Sequence, residues 1–316
     1  MGMTTSIKLG SRGSPLAMAQ SHIVQALLTK AVGAGDYPIE AFTTTGDKIQ
    51  DKRLQDAGGK GLFTKELDEA LTARRIDAAV HSMKDLPVKL PPDQVLCCVP
   101  SREDPRDAFI SHKANTVMSL PQGAIVGTAS LRRQAQVLHL RPDLKVVTLR
   151  GSVQTRLKKL ESGEFDATFL ALAGLTRLGL ADKAEGLIDT DAMPPAPGQG
   201  ALAITCRADD AATRAAFAKI TVPEFEIATA AERAFLDALD GSCRTPIGAL
   251  ATLNGGTLSF IGEVLTPDGK QHWRRTATIT LGSDPRADAD ALGRKLGHDI
   301  RGEAGDAFHP EKMHGW

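Results

Sequence analysis

The stretch Ile76-Asp77-Ala78-Ala79-Val80-His81-Ser82-Met83-Lys84-Asp85-Leu86-Pro87 opens as a short apolar run and ends in a charged turn stopped by proline. A run of that length, bounded by a turn signal, reads as a buried strand that delivers the residues after it to a sheet edge. The same unit recurs where Ile125 to Thr128 lead into Ser130-Leu131-Arg132-Arg133, and where Val146 to Leu149 lead into Arg150-Gly151-Ser152. Helical patterns lie between these runs. The clearest starts at Ser14-Pro15, where serine suits the cap and proline the first helical position. Leu16, Ala19, Ile23, Leu27 and Leu28 then fall on one expected face, and the pattern stops before Gly33-Ala34-Gly35. Strands alternating with helices predict parallel sheets with crossover helices.

Further out, Ile76-Asp77-Ala78 through Leu86 matches Phe165-Asp166-Ala167 through Leu175 in pattern and spacing, which suggests two lobes of like topology. Pro100 to Pro105 and Met193-Pro194-Pro195-Ala196-Pro197-Gly198 read as the crossings by which the chain enters and leaves the second lobe, a natural hinge. After Val222-Pro223 the pattern changes. A helix from about Ile227 to Leu239 precedes strands around Leu250, Leu258 and Ala277, joined by Asn254-Gly255-Gly256 and Pro267-Asp268-Gly269 turns, and a helix follows from about Arg286. The expected domains are 1–102 with 197–221, then 103–196, then a small α+β domain at 222–316 whose tail from Gly302 is poorly ordered.

At 316 residues the chain exceeds what one hydrophobic core usually organises. Lys plus Arg and Asp plus Glu both number 38, so no global field draws it to nucleic acid or a membrane surface. Two Trp and one Tyr offer little for base stacking. Met1 to Leu9 contain no apolar leader, and no stretch reaches the roughly 18 uncharged apolar residues of a membrane span, so a cytoplasmic protein without membrane or nucleic-acid partners is expected. Cys97, Cys98, Cys206 and Cys243 lack CxxC spacing and a nearby His pair, which points away from zinc and towards reduced thiols.

Arg12, Arg132, Arg133, Arg150, Arg156 and Arg177 recur at the ends of expected strands, where α/β proteins place ligands. Several lie beside Ser14, Ser130 or Ser152 at helix starts, so helix amides and planar guanidinium forks would bind one anion together. Taken singly, each is equally a solvated helix-end arginine. Asp85 beside Lys84 suits stabilisation of a developing cation or proton transfer, but without further context a capping Asp and a solvated Lys is the plainer reading. Gly58-Gly59-Lys60-Gly61 lacks phosphate-loop spacing and reads as a flexible loop carrying Lys60. Cys243, in the tight loop Gly241-Ser242-Cys243-Arg244-Thr245-Pro246-Ile247-Gly248, has an arginine neighbour that favours a nucleophilic thiolate. A lone Cys is more often an inert hydrophobe, the reading given to Cys97, Cys98 and Cys206.

Six segments in order carry a resemblance: Arg12-Gly13-Ser14-Pro15-Leu16-Ala17, His81 to Pro87, Gly127-Thr128-Ala129-Ser130-Leu131-Arg132-Arg133, Arg150-Gly151-Ser152-Val153-Gln154-Thr155-Arg156-Leu157, Gly198-Gln199-Gly200-Ala201-Leu202 and Gly241 to Gly248. Together they resemble the porphobilinogen deaminases. The resemblance implies an α/β fold of two hinged doubly wound lobes, resembling periplasmic-binding-protein domains, plus a small α+β C-terminal domain. It implies a monomeric transferase that joins four porphobilinogen units, losing ammonia, into hydroxymethylbilane on a dipyrromethane cofactor held through a thioether to Cys243. By the same resemblance Asp85 is catalytic and contacts pyrrole nitrogens. Lys84, Ser14, Thr128, Ser130, Arg132, Arg133 and Arg156 would hold the cofactor, and Arg12, Arg150, Arg156, Arg177 and Lys60 the substrate. No metal is implied.

Met83, Ser152 and Thr205 depart from the family pattern, where Leu, Asn and Glu are usual; Thr205 has no evident role from sequence. Two other readings fit the bare residues. One is a two-lobed anion-binding protein without catalysis, and the other a cysteine hydrolase with Cys243 activated by His81 or His22.

Overall fold

The computed structural model describes residues 6–48, 61–239, 241 and 245–307. The chain begins with β1 (Leu9–Arg12), α1 (Pro15–Val32), β2 (Ile39–Phe42), α2 (Thr45–Lys48), α3 (Lys65–Thr72), β3 (Ala78–Ser82) and β4 (Gln94–Cys98). It then crosses to β5 (Asp107–Ser111), β6 (Ile125–Gly127), α4 (Leu131–Leu140), β7 (Lys145–Val147), α5 (Val153–Glu161), β8 (Ala167–Ala171), α6 (Leu172–Arg177) and β9 (Gly186–Leu187). It returns through β10 (Leu202–Arg207) and α7 (Ala211–Ala218). The final part is α8 (Pro223–Ala238), β11 (Ile247–Asn254), β12 (Thr257–Leu265), β13 (His272–Thr280) and α9 (Pro285–Ala304).

Among the described residues, two five-stranded sheets form in the orders β2-β1-β3-β10-β4 and β7-β6-β8-β5-β9. The expected parallel pairing holds within β2, β1 and β3 and within β7, β6 and β8, but β10 and β5 enter antiparallel, so the sheets are mixed. The reason lies in the crossings. Each sheet takes in the strand that follows a crossing, and that strand arrives from the opposite direction. β3 and β8 hold the same third place in their sheets, so the echo between Ile76 to Leu86 and Phe165 to Leu175 is a true topological repeat.

Ser14 caps α1 by accepting from the Ala17 amide at 3.3 Å. The expected face holds in part: Leu28 is buried and Ile23 and Leu27 pack against the same core, but Ala17, Gln20, Ser21 and Val24 are also buried, so the inward face is shifted. Helix α1 serves two surfaces, since Leu16 is turned towards Gly174 of α6 in the other lobe while Val24 and Leu28 join Leu9, Ile204 and Phe217 in the core of the first. Each such apolar side chain contributes roughly 1.5–3 kcal/mol when fully buried.

The third unit is a meander of β11, β12 and β13 with α8 and α9 on one face; Phe235 of α8 meets Phe260 of β12 edge to face at 5.3 Å. The hairpin between β11 and β12 turns on Gly255 and Gly256, both at positive φ (54° and 81°), as a two-residue turn with the natural strand twist requires. The chain from Gly302 to Ala304 completes α9 and 305–307 form a short 3-10 turn, so the expected disorder from Gly302 does not hold there: Ile300 and Ala304 anchor that end in the core. No described helix is long and apolar enough to cross a membrane.

Candidate functional site

Strand ends gather the candidate residues. Arg12 closes β1, Lys84 and Asp85 follow β3, and Thr128, Ser130, Arg132 and Arg133 follow β6. Arg150 and Arg156 follow β7, and Arg177 ends α6 behind β8. Ser130 and Ser152 cap α4 and α5, accepting from the amides of Arg133 at 3.4 Å and Thr155 at 3.1 Å. The Thr128 hydroxyl, buried, accepts from the Ser130 amide at 3.1 Å and shapes the same turn. Lys60 and Cys243 lie outside the described residues.

Asp85 ends the 3-10 turn Met83–Asp85, which the Leu86 amide closes on the Met83 carbonyl at 3.1 Å. Its side chain is exposed and accepts no hydrogen bond from a described residue. Met83 beneath it is buried, donates its amide to the Ala201 carbonyl at 3.0 Å and packs on Gly198, where an added Cβ would stand 2.4 Å from its Cγ. Gly198, which also sits at φ 76°, is therefore needed for the close approach of the Met83 side chain.

Lys84 Nζ donates to Gln199 Oε1 at 3.2 Å. Burial lowers its pKa to about 8, with Arg133 and Arg132 pushing the same way against Asp85 and Asp107. Arg156 is brought down to about 10, first by burial and then by the charges of Arg133 and Arg150, with Asp85 opposing. Burial also lowers Arg150. These couplings put residues of both lobes within electrostatic reach of one another, as a cation cluster around Asp85, whose carboxylate no described residue hydrogen-bonds.

Arg132 and Arg133 are buried and share Asp107, which sequence reasoning missed. Arg132 Nη2 donates to Asp107 Oδ2 at 2.9 Å and Arg133 Nη2 to Oδ1 at 2.8 Å. Burial would raise the Asp107 carboxyl, but the two guanidiniums and hydrogen bonds from Arg133 and Gln199 hold it well below the usual range. Arg132 also binds Gln136 Oε1 and the Pro194 carbonyl, and Arg133 the Phe169 carbonyl. At these two positions one carboxylate therefore neutralises half of the paired charge. The Nε atoms of Arg132 and Arg177 are buried without a hydrogen-bond partner among the described residues, while Arg177 Nη2 donates to the Gly200 carbonyl at 2.7 Å.

Arg12 is also paired. It binds Asp47 and lies 4.2 Å over the ring of Phe63. His81 is buried, its Nε2 3.1 Å from Thr205 Oγ1, and burial with the nearby Arg12 lowers its pKa to about 4. Thr205 thereby acquires a role as the partner of a neutral imidazole. The three described cysteines lie in β4 and β10 as expected, and burial pushes Cys98 up to about 12.

Gln199 and Glu232 tie these parts together. Gln199 Nε2 donates to Asp107 Oδ1 at 2.8 Å and to the Pro105 carbonyl at 2.7 Å. Glu232 of α8, fully buried, accepts from both terminal nitrogens of Arg102, from the Gly198 amide and from the Ala251 amide, joining both crossings to the third unit. Gln199 stood in a motif already singled out; Asp107 and Glu232 carried no local signal, since each is one acid among many until its burial is known.

The sequence matches the family described as "Porphobilinogen deaminase, dipyromethane cofactor binding domain" over residues 7–215 and the one described as "Porphobilinogen deaminase, C-terminal domain" over 227–302. It is 54% identical over 319 residues to the porphobilinogen deaminase of Caulobacter vibrioides, covering 98% of this chain and 99% of that one. It is 53% identical over 302 residues to that of Nitrobacter winogradskyi, covering 95% and 94%. Among solved structures, the methionine-binding protein MetQ is similar at 16% identity and a TM-score of 0.44, over 70% of this chain and 90% of that one.

Proposed function

The chain belongs to the porphobilinogen deaminase family, and on that premise we propose that it works in the cytoplasm as a monomeric transferase. It condenses four porphobilinogen molecules, releasing ammonia, into the linear hydroxymethylbilane on a dipyrromethane attached through Cys243. The observation that carries this reading is the Asp85 carboxylate, without a hydrogen-bond partner among the described residues, within a cluster of cations. When bound, the dipyrromethane supplies the primer pyrroles to which substrate units are added.

The residues present fit such a group. Each pyrrole brings two carboxylates, and Lys84 and Arg156, lowered first by burial and further by neighbouring arginines, are cations whose charged form a bound carboxylate would favour. The orphaned Nε donors of Arg132 and Arg177 are further unmet demand for an acceptor. Lys84, Ser14, Thr128, Ser130, Arg132, Arg133 and Arg156 are assigned to the primer, and Arg12, Arg150, Arg156, Arg177 and Lys60 to incoming substrate. Asp107 holds the Arg132 and Arg133 guanidiniums side by side through one carboxylate, which restrains them. Asp85 stabilises the cation that develops on a substrate unit as ammonia leaves, and accepts from pyrrole N–H groups.

A simple anion receptor leaves Asp85 repelling its own ligand. A cysteine hydrolase needs a basic imidazole, but His81 is depressed to about 4 and bound to Thr205, and His22 is exposed on α1 beside Gln25. Intact mass of the purified chain is the test. An adduct of dipyrromethane mass, lost in Cys243→Ala, is expected; a bare and fully active chain overturns the reading.

A further inference from the structure

Arg233, on the inward side of α8, has no place in the site as assigned so far. Its Nη2 donates to the carbonyls of Pro87 at 2.9 Å and Val88 at 3.0 Å, and its Nη1 to the carbonyl of Leu86 at 3.3 Å. Nη1 also lies 3.8 Å from Met83 Sδ. One guanidinium thus holds three successive carbonyls immediately after Asp85. Burial brings its pKa down to about 10, partly offset by Asp237, so it stays charged at neutral pH.

Every other residue of the turn is fixed as well. Met83 is fixed by Ala201 and Gly198, and Lys84 by Gln199. The Asp85 side chain accepts no hydrogen bond from a described residue. The upstream anchors come from the first lobe and its crossing, whereas the downstream anchor comes from the helix that leads in sequence towards Cys243. A carboxylate that no described residue hydrogen-bonds takes its position from the backbone on either side.

We propose that Arg233 is a positioning residue for Asp85: by clamping the Leu86, Pro87 and Val88 carbonyls it fixes the carboxylate relative to the third unit, and with it the alignment of Asp85 against substrate. The proposal rests on Asp85 being the catalytic carboxylate. A planar fork reaches three carbonyls at once, while an ammonium on a flexible stem does not hold them in one geometry. Misplacement by an ångström is enough to lose about a hundredfold in rate.

The test uses the full chain as purified. Arg233→Lys is compared with the unsubstituted chain and with Asp85→Asn for adduct mass, melting temperature, and kcat and KM per adduct-bearing molecule. Near-normal turnover in Asp85→Asn overturns the assignment of Asp85 itself, and is seen before Arg233 is considered. With Asp85→Asn inactive, the expected result for Arg233→Lys is a normal adduct, a nearly unchanged melting temperature, and a kcat at least about tenfold lower at a KM within about twofold. A kcat within about twofold of the unsubstituted chain overturns the clamp. Failure of Arg233→Lys to fold or to carry the adduct also overturns it, because Arg233 would then serve assembly alone.

Discussion

The Gln199 amide donates to Asp107 at 2.8 Å where the two crossings meet, so a residue of the returning crossing completes the coordination of an acid that begins β5. That acid already neutralises part of the Arg132 and Arg133 pair, and the lobes share one buried polar network. It continues from Arg132 through Gln136 to Glu263 of β12, 2.7 Å from Gln136 Nε2, and there meets His272 and Arg274.

Removing Asp107 strands two buried guanidiniums. Asp107→Ala is expected to cost about 3–5 kcal/mol of unfolding free energy, the usual consequence of deleting one partner of a buried ion pair. Denaturant melts read this directly, and a loss below about 1 kcal/mol would mean that water or an anion replaces the carboxylate at little cost.

The arginines stand at different strand ends, so their neutral variants should not be equivalent. Arg156, close to Arg133 and Asp85, and Arg150, on the far side of the Ser152 cap, are the informative pair. Arg156→Leu should impair primer assembly or the first addition, and Arg150→Leu should let early enzyme-bound intermediates form and stall later ones. Native mass spectrometry counts the bound units; the same spread of intermediates in both variants would favour a single rigid anion pocket.

Lys84 gives the alkaline behaviour. Its pKa of about 8 means that its charge is lost as pH rises through that value, so affinity for polyanionic substrate should weaken above it. A bound polyanion reverses part of this by favouring the ammonium, and binding above pH 8 should take up a proton. For folding the sign is opposite. The unfolded lysine titrates near 10.5, so between about 8 and 10.5 the unfolded chain holds more protons and this group makes stability rise with pH. Lys84→Arg, charged throughout, should flatten the rise of KM above pH 8; an unchanged profile assigns that rise to another group.

Much of the site's placement was readable beforehand, because strand ends and helix caps are local features. Ser14, Ser130 and Ser152 cap the helices they precede, and Asp85 follows its strand as the turn signal requires. What sequence missed is which cations are already paired. Arg12 to Asp47, and Arg132 and Arg133 to Asp107, join residues from separate strands and helices, and no spacing rule marks them.

By itself the sequence determined the strand–turn–helix units, the proline crossings, the glycine hairpin and the repeat seen in β3 and β8, since periodicity, capping and φ preference act over a few residues. Tertiary structure alone decided that β5 and β10 enter antiparallel, that α1 buries Gln20 and Ser21, and that Arg233 reaches the carbonyls after Asp85. These depend on which distant segments meet and on which charges lose their water there, and burial of a charge belongs to a place in the fold, whatever the residue's neighbours in the chain.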